Sequence, residues 1–192
     1  TARDEKGLAV LRHTASHVMA EAVQTLFPEA KVAIGPSIDT GFYYDFECQS
    51  FSRDDLDAIE KEMKKIIKKG AKIERFTKSR EDAIAYFKEK NEPYKVELIE
   101  DLPEGEEISF YSQGDWVDLC AGPHLMSTKG IKAFKLLSSS GAYWRGDENK
   151  HMLTRIYGTA YATKDELKEH LTQLEEAKKR DHNKLGREMK LF

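Results

Sequence analysis

Four short apolar runs, at 108–111, 116–119, 131–137 and 142–144, are set apart by glycines and turn residues. Runs of that length are too short for ordinary helices. Their backbone groups must find partners on other segments, so this half of the chain reads as an antiparallel sheet. The flanks follow a different period. Leu8, Leu11, Ala15, Val18, Ala22 and Leu26 recur at helical spacing and predict an amphipathic helix over roughly 7–27, which Pro28 helps to end. Ile34-Gly35-Pro36 reads as a turn and 41–46 as an aromatic strand. Ser52 with Asp55 opens a second helix, striped by Leu56, Ile59, Met63, Ile66 and Ile67, and Gly70 sits where its C-terminal cap belongs. A strand near 72–76 and a shorter helix after Ser79, carrying Ala83, Tyr86 and Phe87, follow. From Thr163 the helical pattern returns, with Glu166 completing a capping box and Leu167, Leu171 and Leu174 forming a stripe. The expected class is α+β: an antiparallel sheet packed on helices, a long first helix and a C-terminal helix.

With 192 residues, the chain can bury one sizeable core or two small ones. Its apolar runs fall far short of a membrane span, so no membrane partner is expected. A net charge of −3 argues against broad electrostatic capture of nucleic acid, while leaving room for a local basic stripe. Two cysteines, Cys48 and Cys120, are too few for a disulfide framework, and the expected compartment is the cytoplasm. The start, Thr1-Ala2-Arg3-Asp4-Glu5-Lys6, has neither an initiator methionine nor a signal-peptide pattern and reads as a fragment of a longer protein. The mixed charges of Glu175-Glu176-Ala177-Lys178-Lys179-Arg180 describe a solvated helix face.

Two pairs of residues carry chemistry. His13 and His17 are four apart on the first helix and share a face, roughly opposite the Leu11/Ala15/Val18/Ala22 stripe, with small neighbours beside them. Alone, such a pair is as well explained by exposed or sheet-bonded histidines. Cys120 and His124 are separated by Ala-Gly-Pro, which breaks a helix and suits a tight turn at a strand end. Alone, that pair is equally a buried thiol and a loop histidine. Together they supply four groups of the types that bind zinc or move protons near neutral pH. Asp118, two residues before Cys120, adds a carboxylate on the same side of the strand.

At these residues the chain resembles the editing domain shared by threonyl- and alanyl-tRNA synthetases. It is most similar to the bacterial threonyl branch, through Leu11-Arg-His-Thr-Ala-Ser-His17, Gly41-Phe-Tyr-Tyr-Asp45, Tyr111-Ser-Gln-Gly-Asp115, Asp118-Leu-Cys120, Gly141-Ala-Tyr-Trp-Arg-Gly146 and Arg155-Ile-Tyr-Gly-Thr-Ala160, and on to Asp181-His182. The resemblance implies an editing domain over 1–160 and a linker helix over 161–192, leading to a catalytic domain that lies outside the chain. It implies hydrolysis of serine mischarged onto threonine tRNA, with no ligase site in this segment. It gives His13 the positioning of the hydrolytic water, a role shared by Lys95, and gives Asp118 the substrate's amino group. It makes His17, Tyr44, Cys120 and His124 pocket-lining residues.

The partners implied are threonine tRNA carrying serine and the rest of a synthetase. The fragment is expected to be a monomer and the full enzyme a homodimer. No cofactor is expected; zinc at His13, His17, Cys120 and His124, as in the alanyl branch, is the alternative. Serine lacks only a methyl of threonine, worth about 1–3 kcal/mol of discrimination in a threonine pocket, so a second, hydrolytic site makes physical sense. Water attack is expected in preference to a Cys120 acyl intermediate. Three other readings stay open: an alanyl-type trans-editing deacylase, a non-catalytic tRNA-docking module using Lys64, Lys65, Lys68 and Lys69, and a structural zinc module.

Overall fold

The structure, a computed structural model, describes residues 5–149 and 152–190, with side chains as far as Arg180. The expected start at Thr1 to Asp4 and the last two residues of the 161–192 helix lie outside the described residues. Among the described residues the elements form two antiparallel sheets and five α-helices, which is the α+β class.

The first helix, α1 (Glu5–Leu26), differs from the two-faced expectation. From Leu11 to Val23 it is buried on nearly every side, including Arg12, Thr14, Ser16 and His17. It lies between the larger sheet and helix α2 (Arg53–Lys69), so small and polar residues that sequence reading placed outward meet protein instead. Arg12 keeps its charge satisfied there by donating to the carbonyls of Ala160 and Asp39, at 3.0 and 2.8 Å.

The larger sheet has the order β1 (Lys31–Val32), β3 (Gly41–Glu47), β8 (Met152–Tyr161), β7 (Ala133–Tyr143), with β2 (Ser37–Ile38) also paired to β3. Phe42, Tyr44 and Phe46 alternate along β3 and are fully buried in the cluster that includes Leu11, Ala15, Val18 and Met19 of α1. Between Tyr44 and Phe46, Asp45 pairs in register with Arg155 of β8, which grips it with two hydrogen bonds of 2.7 and 3.0 Å. β7 is a single strand where two short ones were expected. Its Ser-Ser-Ser-Gly stretch has no apolar signature, but β8 offers backbone partners along the whole length, across an irregularity between Leu136 and Ser138.

The smaller sheet, β4 (Ile73–Lys78), β5 (Ile108–Gln113) and β6 (Trp116–Leu119), packs under α3 (Arg80–Glu89) and α4 (Pro93–Glu100) through Ala83, Phe87, Ile99, Ile108 and Phe110. One antiparallel sheet was expected; there are two. Helix α4 was not expected either, although Pro93 at its first turn is a recognised start signal.

The expected caps are present. Ser52 and Asp55 bond reciprocally, and Gly70 takes the left-handed conformation at φ 66°. The Thr163 hydroxyl accepts from the Glu166 amide at 3.2 Å, opening α5 (Lys164–Lys190). Among the described residues, no helix is long and apolar enough to cross a membrane.

Candidate active site

The two sequence pairs meet. α1 presents His13 and His17, while β6 ends at Leu119 and delivers Cys120 and then His124 back against that helix. The turn between them needs Gly122, whose φ of +82° is open to glycine, and whose Cα lies so close to Tyr111 that a Cβ would come within 2.1 Å of its hydroxyl. The Cys120 sulfur stands 3.3 Å from His13 Nε2 and 3.1 Å from His124 Nε2, and accepts the Gly122 N–H at 3.2 Å. The His124 ring lies 4.3 Å, centre to centre, from both His13 and His17. The four donor atoms all lie within 4.8 Å of one another.

Asp118 and Lys95 complete the group. Lys95, on α4, reaches Asp118 Oδ1 at 2.7 Å, and both are buried. Asp118 Oδ1 also accepts the Leu119 amide, and Oδ2 accepts the Tyr44 hydroxyl at 2.7 Å, with His17 Nε2 at 3.5 Å. All seven expected site residues, His13, His17, Tyr44, Lys95, Asp118, Cys120 and His124, therefore form one contiguous set.

Burial sets their protonation. It pushes the Cys120 thiol up to about 11, against the Gly122 amide, which favours the thiolate. It pulls His124 down to about 2, helped by the neighbouring imidazoles, and holds His17 well below its ordinary value. His13, partly exposed, is lowered by the same cause, opposed by the charge of Asp118 and a hydrogen bond with the Pro123 backbone. Burial, then Asp118, raises Tyr44 well above a normal phenol, so it donates as a neutral group. At neutral pH the site is three uncharged imidazoles, a thiol and one buried ion pair. His13, whose depression Asp118 opposes, is the imidazole suited to accept a proton from water; His17 and His124 are too weakly basic, and a thiol of this kind is a poor nucleophile.

Several contributors had no sequence signal. Trp116 stands edge-on to His17, ring centres 5.5 Å apart, and donates its indole N–H to Gln24 at 2.8 Å. Gln24 in turn donates to Glu92, whose second oxygen takes the Val32 amide. Glu92 precedes the helix that carries Lys95, so this chain of bonds ties the wall behind His17 to the base of α4. Thr14, between the two α1 histidines, bonds His124.

Residues 108–157 match the family model described as threonyl and alanyl tRNA synthetase second additional domain. That stretch includes Asp118, Cys120 and His124, but not α1, β3 or α4. Over the whole chain, identity is 64% to the threonine–tRNA ligase of Clostridium novyi (strain NT) and 64% to that of Clostridium botulinum (strain Hall). It is 63% over 98% of the chain to the same-named protein of Acetivibrio thermocellus. The chain spans 30% of the length of each of these relatives.

Proposed function

We propose, for a chain that belongs to the threonyl and alanyl tRNA synthetase second additional domain family, that its His/Cys site hydrolyses serine from threonine tRNA. The observation that carries this reading is the convergence of His13, His17, Cys120 and His124 within 4.8 Å, beside a buried lysine–aspartate pair.

The ester between serine and the terminal ribose is activated, so the site has few tasks: hold a water, accept its proton, and place the carbonyl. His13 is the outermost imidazole on α1 and is neutral, so it can take the proton as water oxygen bonds to the carbonyl carbon. The ester C–O bond then breaks and the proton passes to the departing ribose oxygen, leaving free serine and uncharged tRNA. Lys95 supplies positive charge beside the developing oxyanion. Asp118 already holds Lys95 and Tyr44, so a substrate ammonium reaches it by competing with the Lys95 ammonium. Cys120, kept as a thiol, lines the pocket with His17, His124 and Tyr44.

The four donors also fit zinc. A tetrahedral site puts ligand atoms about 3.3–3.8 Å apart; two pairs here stand at 3.3 and 3.1 Å and all lie within 4.8 Å, so side-chain shifts of about 1 Å would close them on an ion. Bound by all four, zinc would have no open position and would be structural; held by three of them, it would supply an acidified water. The primary reading uses no metal, and elemental analysis finding one zinc per chain would move it to the alternative.

The same reading assigns 1–160 to proofreading and 161–192 to a linker helix, with threonine tRNA and the rest of a cytoplasmic synthetase as partners. The deciding experiment offers the chain serylated and threonylated threonine tRNA, and serylated alanine tRNA. Release of serine from the first alone is expected. Release from alanine tRNA alone identifies an alanyl-type deacylase, and tRNA binding without any release identifies a docking module.

A further inference from the structure

Thr14 sits inside the His-x-x-x-His segment and is fully buried. Its hydroxyl makes three contacts. The oxygen lies 2.9 Å from the Val10 carbonyl one turn back, accepts the Leu125 amide at 3.0 Å, and lies 3.1 Å from His124 Nδ1. A hydroxyl has one proton and two lone pairs. The Leu125 amide uses one lone pair. If the hydroxyl proton goes to His124, the Thr14 and Val10 oxygens face each other at hydrogen-bond distance with no proton between them. Only one assignment gives every contact its proton: the hydroxyl donates to Val10, and His124 Nδ1–H donates to the hydroxyl.

We propose that Thr14 is a positioning residue that holds His124 in the Nδ1–H tautomer, so that Nε2 presents a lone pair to the pocket. That nitrogen is the one 3.1 Å from the Cys120 sulfur. The thiol proton then has an acceptor in His124 Nε2, the nearer of the two ring nitrogens in reach, with His13 Nε2 at 3.3 Å, and the sulfur accepts the Gly122 amide. The strong depression of His124 by burial agrees with a neutral ring, the only form in which a tautomer is defined. The same hydroxyl pins Leu125, so α1 sets both the place of the turn and the direction of its imidazole. Setting the unreactive nitrogen of a functional histidine through a neighbouring group is how such rings are commonly oriented.

The tautomer rests on hydrogen-bond geometry; only its consequence for hydrolysis rests on the proofreading reading. The test uses the chain labelled with 15N-histidine, chelator present, at neutral pH. Long-range proton–nitrogen correlations report which ring nitrogen of His124 carries the proton, and the His124→Asn spectrum assigns the peaks. Wild type is expected to show Nδ1 protonated and Nε2 bare, and Thr14→Ser to keep that pattern. Thr14→Val, of equal volume, is expected to lose it and to release serine about 10-fold more slowly. A wild-type His124 protonated at Nε2 overturns the proposal, and so does an unchanged pattern in Thr14→Val. If Thr14→Val does not fold, the wild-type and Thr14→Ser spectra still decide. The expected tautomer in a chain that releases no serine upholds this assignment and sinks the proofreading reading.

Discussion

Lys95 and Asp118 meet at 2.7 Å with only 3% and 1% of their side chains exposed, so the most deeply placed charges at the site neutralise each other. Removing one partner strands the other charge in the interior, which typically costs about 3–5 kcal/mol. Lys95→Met is therefore expected to lower stability by that order in urea unfolding. Lys95→Met with Asp118→Asn is expected to cost less than the sum of the two single changes, because the double variant leaves no unpaired charge. Additive losses would show that the two groups are not coupled.

His13→Ala is expected to slow serine release by about 100- to 10,000-fold, the usual contribution of a proton acceptor. Its side chain is only partly buried, so unfolding midpoints are expected to change little. Unaltered release from a folded variant removes His13 from the chemistry. The comparison is best made at saturating tRNA, so that binding does not mask the chemical step.

Glu21 stands one turn beyond His17, in a hollow shared with Glu62, Lys69, Gln113 and Asp115. Burial raises its carboxyl to about 7 from the ordinary 4.5, with Gln113 and Lys69 opposing and Glu62 and Asp115 assisting. Between those two values the folded chain holds a proton that the unfolded chain has lost. This group's contribution to stability is thus full below about 4.5 and declines as pH rises through 7. Glu21→Gln is expected to be more stable than the parent at pH 8, with the gap closing towards pH 4. Urea titrations at both pH values read this directly, and a gap independent of pH refutes the shift.

Gly122→Ala places a Cβ within 2.1 Å of the Tyr111 hydroxyl and forces a side chain into φ +82°. The conformation alone costs about 1–2 kcal/mol. The turn that carries His124 must move, so both the thermal midpoint and serine release are expected to fall. Tyr111→Phe removes the nearest atom and is expected to restore part of the stability but not the conformational share.

Much of the architecture was legible because local rules act locally. The stripe on α1 from Leu11 to Ala22, the Ser52 and Thr163 caps, the Gly70 stop and the alternating aromatics of β3 are read from neighbours a few residues apart, and each is realised in the fold, while Leu26 at the end of the stripe is exposed. Elements whose partners are distant were harder. β8 and the serine-rich middle of β7 are strands because they pair with each other, and α4 is a helix whose apolar residues close a core built by β5 and α3. The burial of α1 on nearly every side between Leu11 and Val23 depends on two layers closing over it, which no periodicity within the helix records.

The chain alone determined which chemical groups were available, and the spacing that puts His13 beside His17 and hands Cys120 and His124 to one turn. Tertiary structure decided that these pairs, more than a hundred residues apart in sequence, bring their donor atoms within 4.8 Å of one another. It also decided that Lys95 is pinned by Asp118, that Trp116 backs His17, and that Thr14 reaches His124. The physical reason is range. Helical spacing and turn chemistry are carried by adjacent residues, while desolvation, ion pairing and the direction of a hydrogen bond are properties of whatever the folded chain brings within a few ångströms.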